Sequence, residues 1–451
     1  MKPQNSPPGI ENAIRLSRDE HCISRKNISK NAVKVLYKLG EEGFNAYLVG
    51  GGVRDLLLGN QPKDFDIATD AEPEDIRRIF RNSRIIGRRF KIVHIRFGRE
   101  IIEVTTFRAP HEALNEIADD APRKRIKELD SAHSSSGMIL RDNVYGNIDE
   151  DALRRDFTVN SLYYTVDNFE ILDFSSGLND IQSKQIRMIG DPEERYREDP
   201  VRMLRALRFS AKLKFEIEKE TREPINRLAH LLESISSARL FDESMKLLTG
   251  GQAVDTFALL AEFDPGKYLF GPTIEAIEDA EAPASKLLQL ALKNTDSRLA
   301  IGKSVTPAFL YAALLWPVLQ KKINMQQSEE QNPGQIYSVA VSSCISEQLT
   351  FTSIPKRFTA ASREIWDLQN RLERRNRRNV NSCFAHPRFR AAYDFLLLRE
   401  ESGENLGEAG QWWTDFQIGD TKQRDEMIEK LNSSNSRRKR RPRRKTNSDS
   451  H

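Results

Sequence analysis

The stretch AYLVGGGVRDLLLGNQPKDFDIAT at residues 46–69 constrains this chain more than any other. Ala46, Tyr47, Leu48 and Val49 form an apolar run with the length of a buried strand. The glycines Gly50, Gly51 and Gly52 permit a tight turn, and residues 53–58 read as a helix closed by Gly59. Such a turn leaves the helix's first N–H groups free at the positive end of its dipole, a setting that favours a phosphate, and Arg54 adds charge in the first turn. Three glycines before a helix are also an ordinary tight connection, and their spacing matches neither a P-loop nor a dinucleotide fingerprint. The aspartates downstream of the turn are more telling. Asp64, Phe65, Asp66 and Ile67 alternate polar and apolar, so a strand here would aim both carboxylates at one face and pack Phe65 and Ile67 on the other. Paired carboxylates repel unless one stays protonated or a hard divalent cation bound by oxygens removes the conflict. Metal binding is the simple resolution, and two Mg²⁺ ions about 4 Å apart are how nucleotidyl transfer activates a 3′-hydroxyl and steadies leaving pyrophosphate. An exposed strand face that carries two Asp is the plainer alternative.

At 451 residues the chain has length for about three domains. With 38% hydrophobic and 30% charged residues, it reads as folded domains with polar tails. Strand-like and helical runs alternate through residues 30–109, an α/β pattern, and residues 110–142 turn polar and read as a mobile loop. From Glu193 onward the spacing is helical. Residues 431–451 hold eight Lys/Arg and one acid, a charge of +7 against +4 for the whole chain, which leaves the other 430 residues at −3. This RRKRRPRRK segment is expected to be disordered and suits a phosphate backbone, although it would also serve merely to solubilise. The longest apolar run, residues 308–319, carries Pro317 and falls short of the roughly 18 residues of a membrane span. The N-terminus shows no secretory h-region, and Cys22, Cys344 and Cys383 form no CxxC pair, so a reducing, cytoplasmic setting is expected.

Three further segments carry chemistry. Residues 151–162, DALRRDFTVNSL, read as a helix with Leu153 and Phe157 on one side and Asp156 and Asn160 on another, a polar face that surface ion pairs alone could explain. Glu103 lies in the strand-like run IIEVTTF, where an acid needs a partner. In YREDPVRMLRALRF, at residues 196–209, Asp199 reads as an N-cap ahead of Pro200, with Arg202, Arg205 and Arg208 opposite Leu204 and Leu207. His94 has no metal-ligand spacing to another His or Cys and reads as a strand residue.

GGGVRDLLLG followed by KDFDIAT resembles the head motif of the tRNA nucleotidyltransferase and bacterial poly(A) polymerase family, within the polymerase-beta-like nucleotidyltransferases. The resemblance implies that Asp64 and Asp66 hold catalytic metal and that Gly51, Gly52 and Arg54 belong to the nucleotide site. RRDFTVNSLYY is similar to the family's second motif, which implies sugar contact and a third carboxylate at Arg155 and Asp156; Asp156 is preferred, with Glu103 its rival. EDPVRMLRALRF resembles the motif that reads the incoming base in place of a template, which implies that role for Asp199 and Arg202, with Glu198 and Arg205. IIGRRFKIVHIRF, at residues 85–97, looks like bacterial poly(A) polymerase rather than CCA-adding enzymes, making Arg88, Arg89 and Lys91 candidates for RNA contact. HPRFRAAYDFLLLRE, WWTDFQ and the arginine-rich tail extend the likeness over residues 28–416 and beyond, with Arg437, Arg438, Lys439, Arg440 and Arg441 as RNA contacts. RLERRNRR, at residues 371–378, would track an RNA backbone or form a solvated helix face.

The expected architecture is an N-terminal extension (1–29), an α/β polymerase-beta-like nucleotidyltransferase head (30–168), an all-α neck with the nucleotide-selecting motif (169–270), an all-α RNA-binding body (271–418) and a disordered basic tail (419–451). The expected activity is addition of AMP from ATP to RNA 3′ ends, a step that promotes RNA turnover, with Mg²⁺ as cofactor. RNA 3′ ends, ATP and other RNA-processing or decay proteins are the expected partners. A CCA-adding enzyme is the alternative within the family, and an inactive RNA-binding protein on the same fold is the alternative outside enzymes.

Overall fold

The computed structural model describes residues 9–87, 91–109, 116–117, 131–134, 139–142, 144–326 and 332–437. The chain divides into two compact units at Ile235.

The first unit is built on a mixed eight-stranded sheet. Its early elements are β1 (Ile14–Leu16), α1 (Lys30–Glu41), β2 (Ala46–Val49), α2 (Gly51–Leu57), β3 (Asp66–Thr69), α3 (Pro73–Ile79), β4 (Ser83–Ile86), β5 (Ile92–Phe97) and β6 (Glu100–Thr106). After the short strands β7 (Glu116–Ile117), β8 (Ser131–Ser134) and β9 (Ile139–Asp142) come α4 (Ile148–Leu153), β10 (Leu162–Tyr164) and β11 (Ile171–Asp173). The sheet order is β1-β11-β10-β2-β3-β6-β5-β4. All neighbours run antiparallel except β3 and β6, where Asp66 stands beside Glu103. Alternation divides the side chains between two faces. Leu48, Ile67, Val104 and Ile95 join one core with Val35, Leu36 and Leu39 of α1, a helix begun by the Ser29 side chain accepting from the Asn31 and Ala32 amides. Tyr47, Val49, Ala68 and Tyr163 form a second core with Phe107, Ile148 and Ala152 on the opposite face. The unit continues through α5 (Gly177–Ser183), α6 (Pro192–Glu198) and α7 (Val201–Leu213).

The second unit is entirely helical among the described residues, from Ser237–Leu248 to Thr421–Arg437. Long helices such as Lys356–Arg374 and Phe389–Glu401 bury Trp366, Leu372, Tyr393 and Leu396, and the indole N–H of Trp413 donates to the Leu372 carbonyl at 2.8 Å.

Several expectations are corrected. The sheet takes in β1 and β11, outside the 30–168 span expected for the head, because β11 pairs with β10 and then accepts β1 on its open edge. Residues 110–142 are not all loop: β7, β8 and β9 form a small sheet of their own. Residues 151–162 are not one helix, since α4 stops at Leu153 and Thr158–Asn160 is a 3₁₀ turn leading into β10. Asp199 closes α6, and Pro200, not Asp199, is the N-cap of α7. The break at Ile235 falls inside the 169–270 span read as a neck. The helix Thr421–Arg437 occupies the first half of the span read as a disordered tail and buries Ile428 in the core around Phe416 and Trp413. Residues 438–451 lie outside the described residues.

Candidate active site

The sheet register creates the site. Val49, Asp66, Glu103, His94 and Arg84 stand side by side on β2, β3, β6, β5 and β4, so they form one transverse row. Partners in register share a face, so the Asp66 and Glu103 carboxylates become neighbours although they stand 37 positions apart in the chain. Asp64 is exposed, just ahead of β3. Burial, then the nearby Glu103 and Asp64 carboxylates, push the Asp66 carboxyl up to about 6 against the opposing pull of Arg155. Glu103 Oε1 accepts from His94 Nε2 at 3.0 Å, so His94 has a polar partner in the row.

Beside Asp64 and Asp66 opens a cavity of about 500 Å³. Its floor is the glycine turn: Gly50 sits at φ +68°, ψ −137°, backbone that side chains disfavour, and its amide donates to the Leu162 carbonyl. A Cβ on Gly51 would come within 3.3 Å of the Arg54 guanidinium. Arg54 is only 1% exposed. Its Nε and Nη2 donate to Asp55 Oδ1 at 2.8 and 2.6 Å and its Nη1 donates to Asn160, so the guanidinium locks the turn to the 3₁₀ segment. Arg155 is held in the same manner. It donates to the Tyr163 hydroxyl at 2.7 Å and to Asp151 Oδ2 at 2.9 Å, and Tyr163 donates to the same carboxylate oxygen.

Asp156 lines this cavity, but as half of an ion pair. Arg205 Nε donates to its Oδ2 at 2.7 Å, and the Phe157 amide and Asn160 Nδ2 reach Oδ1 at 2.8 and 3.2 Å. Burial alone would raise this carboxyl; Arg205 and those bonds instead bring it down to about 2. Asp66 and Asp156 therefore titrate in opposite directions: burial and neighbouring carboxylates outweigh the pull of Arg155 on the first, while Arg205 and its hydrogen bonds outweigh burial on the second.

The cavity gathers Gly51, Gly52, Arg54, Asp64, Asp66, Arg155, Asp156 and Arg205 among the residues expected at the site. Glu198, Asp199 and Arg202 do not line it. Arg202 is buried, donating to Glu198 at 2.6 Å and to the Arg195 carbonyl at 2.7 Å. Lys91 stands 3.6 Å from Glu74. Arg88, Arg89, Lys439, Arg438, Arg440 and Arg441 lie outside the described residues, as does the Arg437 side chain. Sequence reasoning missed Asp55, Lys63, Phe209 and Lys212 on the cavity wall, and assigned Arg208 no part in the site. The signal existed on α7: Arg205, Arg208 and Lys212 recur at i, i+3 and i+7 and so share one helix face. Lys212 Nζ lies 3.2 Å from Asp55.

Among the described residues no three His, Cys, Asp or Glu side chains converge closely enough to grip a metal ion outright. The donor chemistry nonetheless fits a hard divalent cation: Asp64, Asp66 and Glu103 offer only oxygens, and the Asp66 carboxyl is raised by burial first and then by its neighbouring carboxylates, whose repulsion such an ion would relieve.

Three family models match: "Poly A polymerase head domain" over residues 46–187, "Probable RNA and SrmB- binding site of polymerase A" over 214–277, and "Polymerase A arginine-rich C-terminus" over 329–446. Poly(A) polymerase I of Escherichia coli O157:H7 is 46% identical over 437 residues, covering 95% of this chain and 92% of that protein. The CCA-adding enzyme of Lactococcus lactis subsp. cremoris (strain MG1363) is 37% identical over 241 residues, covering 53% of this chain and 55% of that enzyme. Among solved structures, the Thermotoga maritima CCA-adding enzyme complexed with tRNA-CCA has a TM-score of 0.53 at 18% identity, covering 93% of this chain and 99% of that one, a likeness of fold.

Proposed function

The chain belongs to the bacterial poly(A) polymerase I family of nucleotidyltransferases, and from that membership we propose how its residues divide the work. The activity is template-independent addition of AMP from ATP to RNA 3′ ends. In that reaction the RNA 3′-oxygen bonds to the α-phosphorus, the bond from that phosphorus to the bridging oxygen of the β-phosphate breaks, and pyrophosphate leaves with the electron pair while the hydroxyl proton passes to water.

Asp64, Asp66 and Glu103 are the residues that would hold Mg²⁺. Bound there, the metal would neutralise the carboxylates, lower the pKa of the attacking hydroxyl and stabilise charge on the phosphate. We assign Glu103, and not Asp156, as the third carboxylate, because Glu103 adjoins Asp66 in register while Asp156 is already neutralised by Arg205. Asp156 then positions Arg205, and Asp151 with Tyr163 positions Arg155 beside the glycine turn. Arg205, Arg208 and Lys212 face the cavity as cations for the polyphosphate, over a turn whose amides receive phosphate oxygens. Arg54 supports that turn from beneath. Glu198, Asp199 and Arg202 select the base; the Arg202–Glu198 pair is then the resting arrangement that an adenine edge must replace. RNA contact falls to Lys91, to Arg88 and Arg89, and to the basic tail. The setting is cytoplasmic.

The observation that carries this reading is the carboxylate row beside the glycine-floored, cation-walled cavity. The test supplies a labelled unstructured RNA with Mg²⁺ and one nucleotide at a time. A ladder with ATP alone is expected, lost in Asp64→Ala and Asp66→Ala while RNA binding persists. Substantial turnover in both variants, or C, C, A addition confined to a tRNA lacking its end, would overturn it.

A further inference from the structure

A helix that stops leaves the carbonyls at its end without backbone partners, and α4 stops at Leu153 with Arg154 as its C-cap. One side chain from another element takes up the carbonyls that follow. Arg195 of α6 donates from Nη2 to both Arg154 and Arg155 oxygens, at 2.5 Å each. Its Nη1 donates to Glu198 Oε2 at 2.6 Å, and Arg202 Nη1 donates to that same oxygen at 2.6 Å and to the Arg195 carbonyl at 2.7 Å.

These contacts close a ring. Asp156 holds Arg205 on α7; three positions earlier on that helix Arg202 holds Glu198; Glu198 holds Arg195; and Arg195 holds the two carbonyls just before Asp156. The segment 154–156 is therefore tied to α7 twice. Arg155, Asp156 and Arg205 line the cavity, whereas Glu198 and Arg202 do not, so Arg195 is the buried link between the two groups. Only a planar fork can span two carbonyls and a carboxylate at once, which a lysine ammonium cannot. Burial first, then the neighbouring Arg202 charge, bring the Arg195 guanidinium down to about 10, so it remains a cation at neutral pH. Its Nε is buried and makes no hydrogen bond among the described residues. An unmet buried donor is unfavourable, so the resting ring gains a bond if a small shift brings that donor a partner.

We propose that Arg195 is a positioning residue that couples base reading to turnover. An adenine edge that displaces Glu198 from Arg202 loosens one of the two ties; Arg195 then shifts with Glu198 and carries the 154–156 backbone, and with it Arg155 and Asp156, into the reacting arrangement. Cytosine, a smaller ring, falls short of the Arg202–Glu198 pair and leaves the ring at rest. The proposal rests on the base-selecting reading of Glu198, Asp199 and Arg202 given above.

The test compares ATP and CTP in binding and in turnover. In Arg195→Met, which leaves Glu198 neutralised by Arg202, kcat with ATP is expected to fall at least about tenfold while kcat with the slow substrate CTP barely changes. The ratio of ATP to CTP affinities, measured by equilibrium dialysis on RNA-free protein, should stay as in wild type. Arg195→Lys keeps a charge beside Glu198 and should fall between the two in kcat. In the wild type, the Arg195 Nε–H resonance, assigned by its absence from Arg195→Lys, should move on addition of ATP and not of CTP. An equal loss of kcat with both nucleotides, the mark of a merely structural role, or an Nε–H resonance that ATP leaves in place, would overturn the coupling while the base-selecting reading stands. If Arg202→Ala retains the wild-type preference for ATP, that reading falls and the coupling falls with it.

Discussion

Asp66 and Asp156 share one cavity and titrate in opposite directions, which makes the site's charge state measurable without substrate. The Asp66 carboxyl, raised to about 6, binds its proton more tightly in the folded protein than in the unfolded chain. It therefore adds stability to the metal-free protein below about pH 4, and that stability is lost as pH rises through 6, roughly 2–3 kcal/mol in all. Asp156, lowered to about 2, works the other way: its contribution is present above about pH 4 and is lost as pH falls toward 2, roughly 2 kcal/mol. Denaturant unfolding of the metal-free protein across pH 2–8 should show both limbs. Asp66→Asn should be more stable than wild type at pH 7 by about 2 kcal/mol yet inactive, a trade of stability for function. Equal stability at pH 7 would mean the Asp66 carboxylate is not strained. Glu103→Gln, argued from the same row, should lower kcat at least about 100-fold with little change in ATP affinity. It should also bring the Asp66 carboxyl down, a shift visible by NMR in the absence of any substrate. An Asp156→Asn variant as inactive as Glu103→Gln, but with an unchanged Asp66 titration, would instead favour Asp156 as the third carboxylate.

The glycine turn and the segment after α4 show how far elements could be read from spacing alone. Strand β2, the turn and α2 were legible because each carries its own local signal: an apolar run, glycines, then a helix with a glycine stop. Residues 151–162 were not, because Leu153, Phe157 and Asn160 happen to fit a helical period. What breaks the helix is tertiary: Phe157 bridges to Met188, the Thr158 hydroxyl donates to Asp180 at 2.7 Å, and Thr158–Asn160 folds as 3₁₀ so that Asn160 reaches both Arg54 and Asp156. The Asp–Asn proximity inferred from a helix face is real, but a different backbone produces it. The role of Glu103 is not legible in sequence for a related reason: its adjacency to Asp66 depends on parallel register, and no local pattern encodes which strands pair. The turn itself can be tested. Gly50→Ala forces a side chain onto φ +68°, ψ −137°, and should cost about 1–3 kcal/mol of stability while weakening ATP binding. A fully stable Gly50→Ala protein would show that the turn can relax into another conformation.

Across the whole molecule, the head's α/β pattern and the long helical remainder were legible from periodicity. The boundary at Ile235 and the docking of the last helix were not, because one helical segment looks much like the next and composition near the C-terminus is dominated by charge. The charge hides an anchoring surface. On Thr421–Arg437, Ile428 is buried against the core that holds Phe416 and Trp413, and Met427 and Leu431 pack beside it. Arg424 lies over the Phe384 ring at 4.7 Å and donates to the carbonyls of Phe416 and Gln417. Two truncations separate the anchoring helix from the basic residues beyond it. Ending the chain after Arg437 removes seven Lys/Arg and leaves the anchoring helix in place. Thermal stability should stay unchanged, while RNA affinity falls and the slope of log K against log salt drops by up to about 5, the single-strand value for seven neutralised phosphates. Ending it after Ile418 also strips the cover from Phe416 and Phe384, which should lower stability by a further 2–4 kcal/mol, roughly the usual cost of losing a buried aliphatic together with its neighbours. If both truncations leave the melting temperature unchanged, Thr421–Arg437 does not anchor to the body; if the first leaves the salt slope unchanged, the tail does not neutralise RNA phosphates.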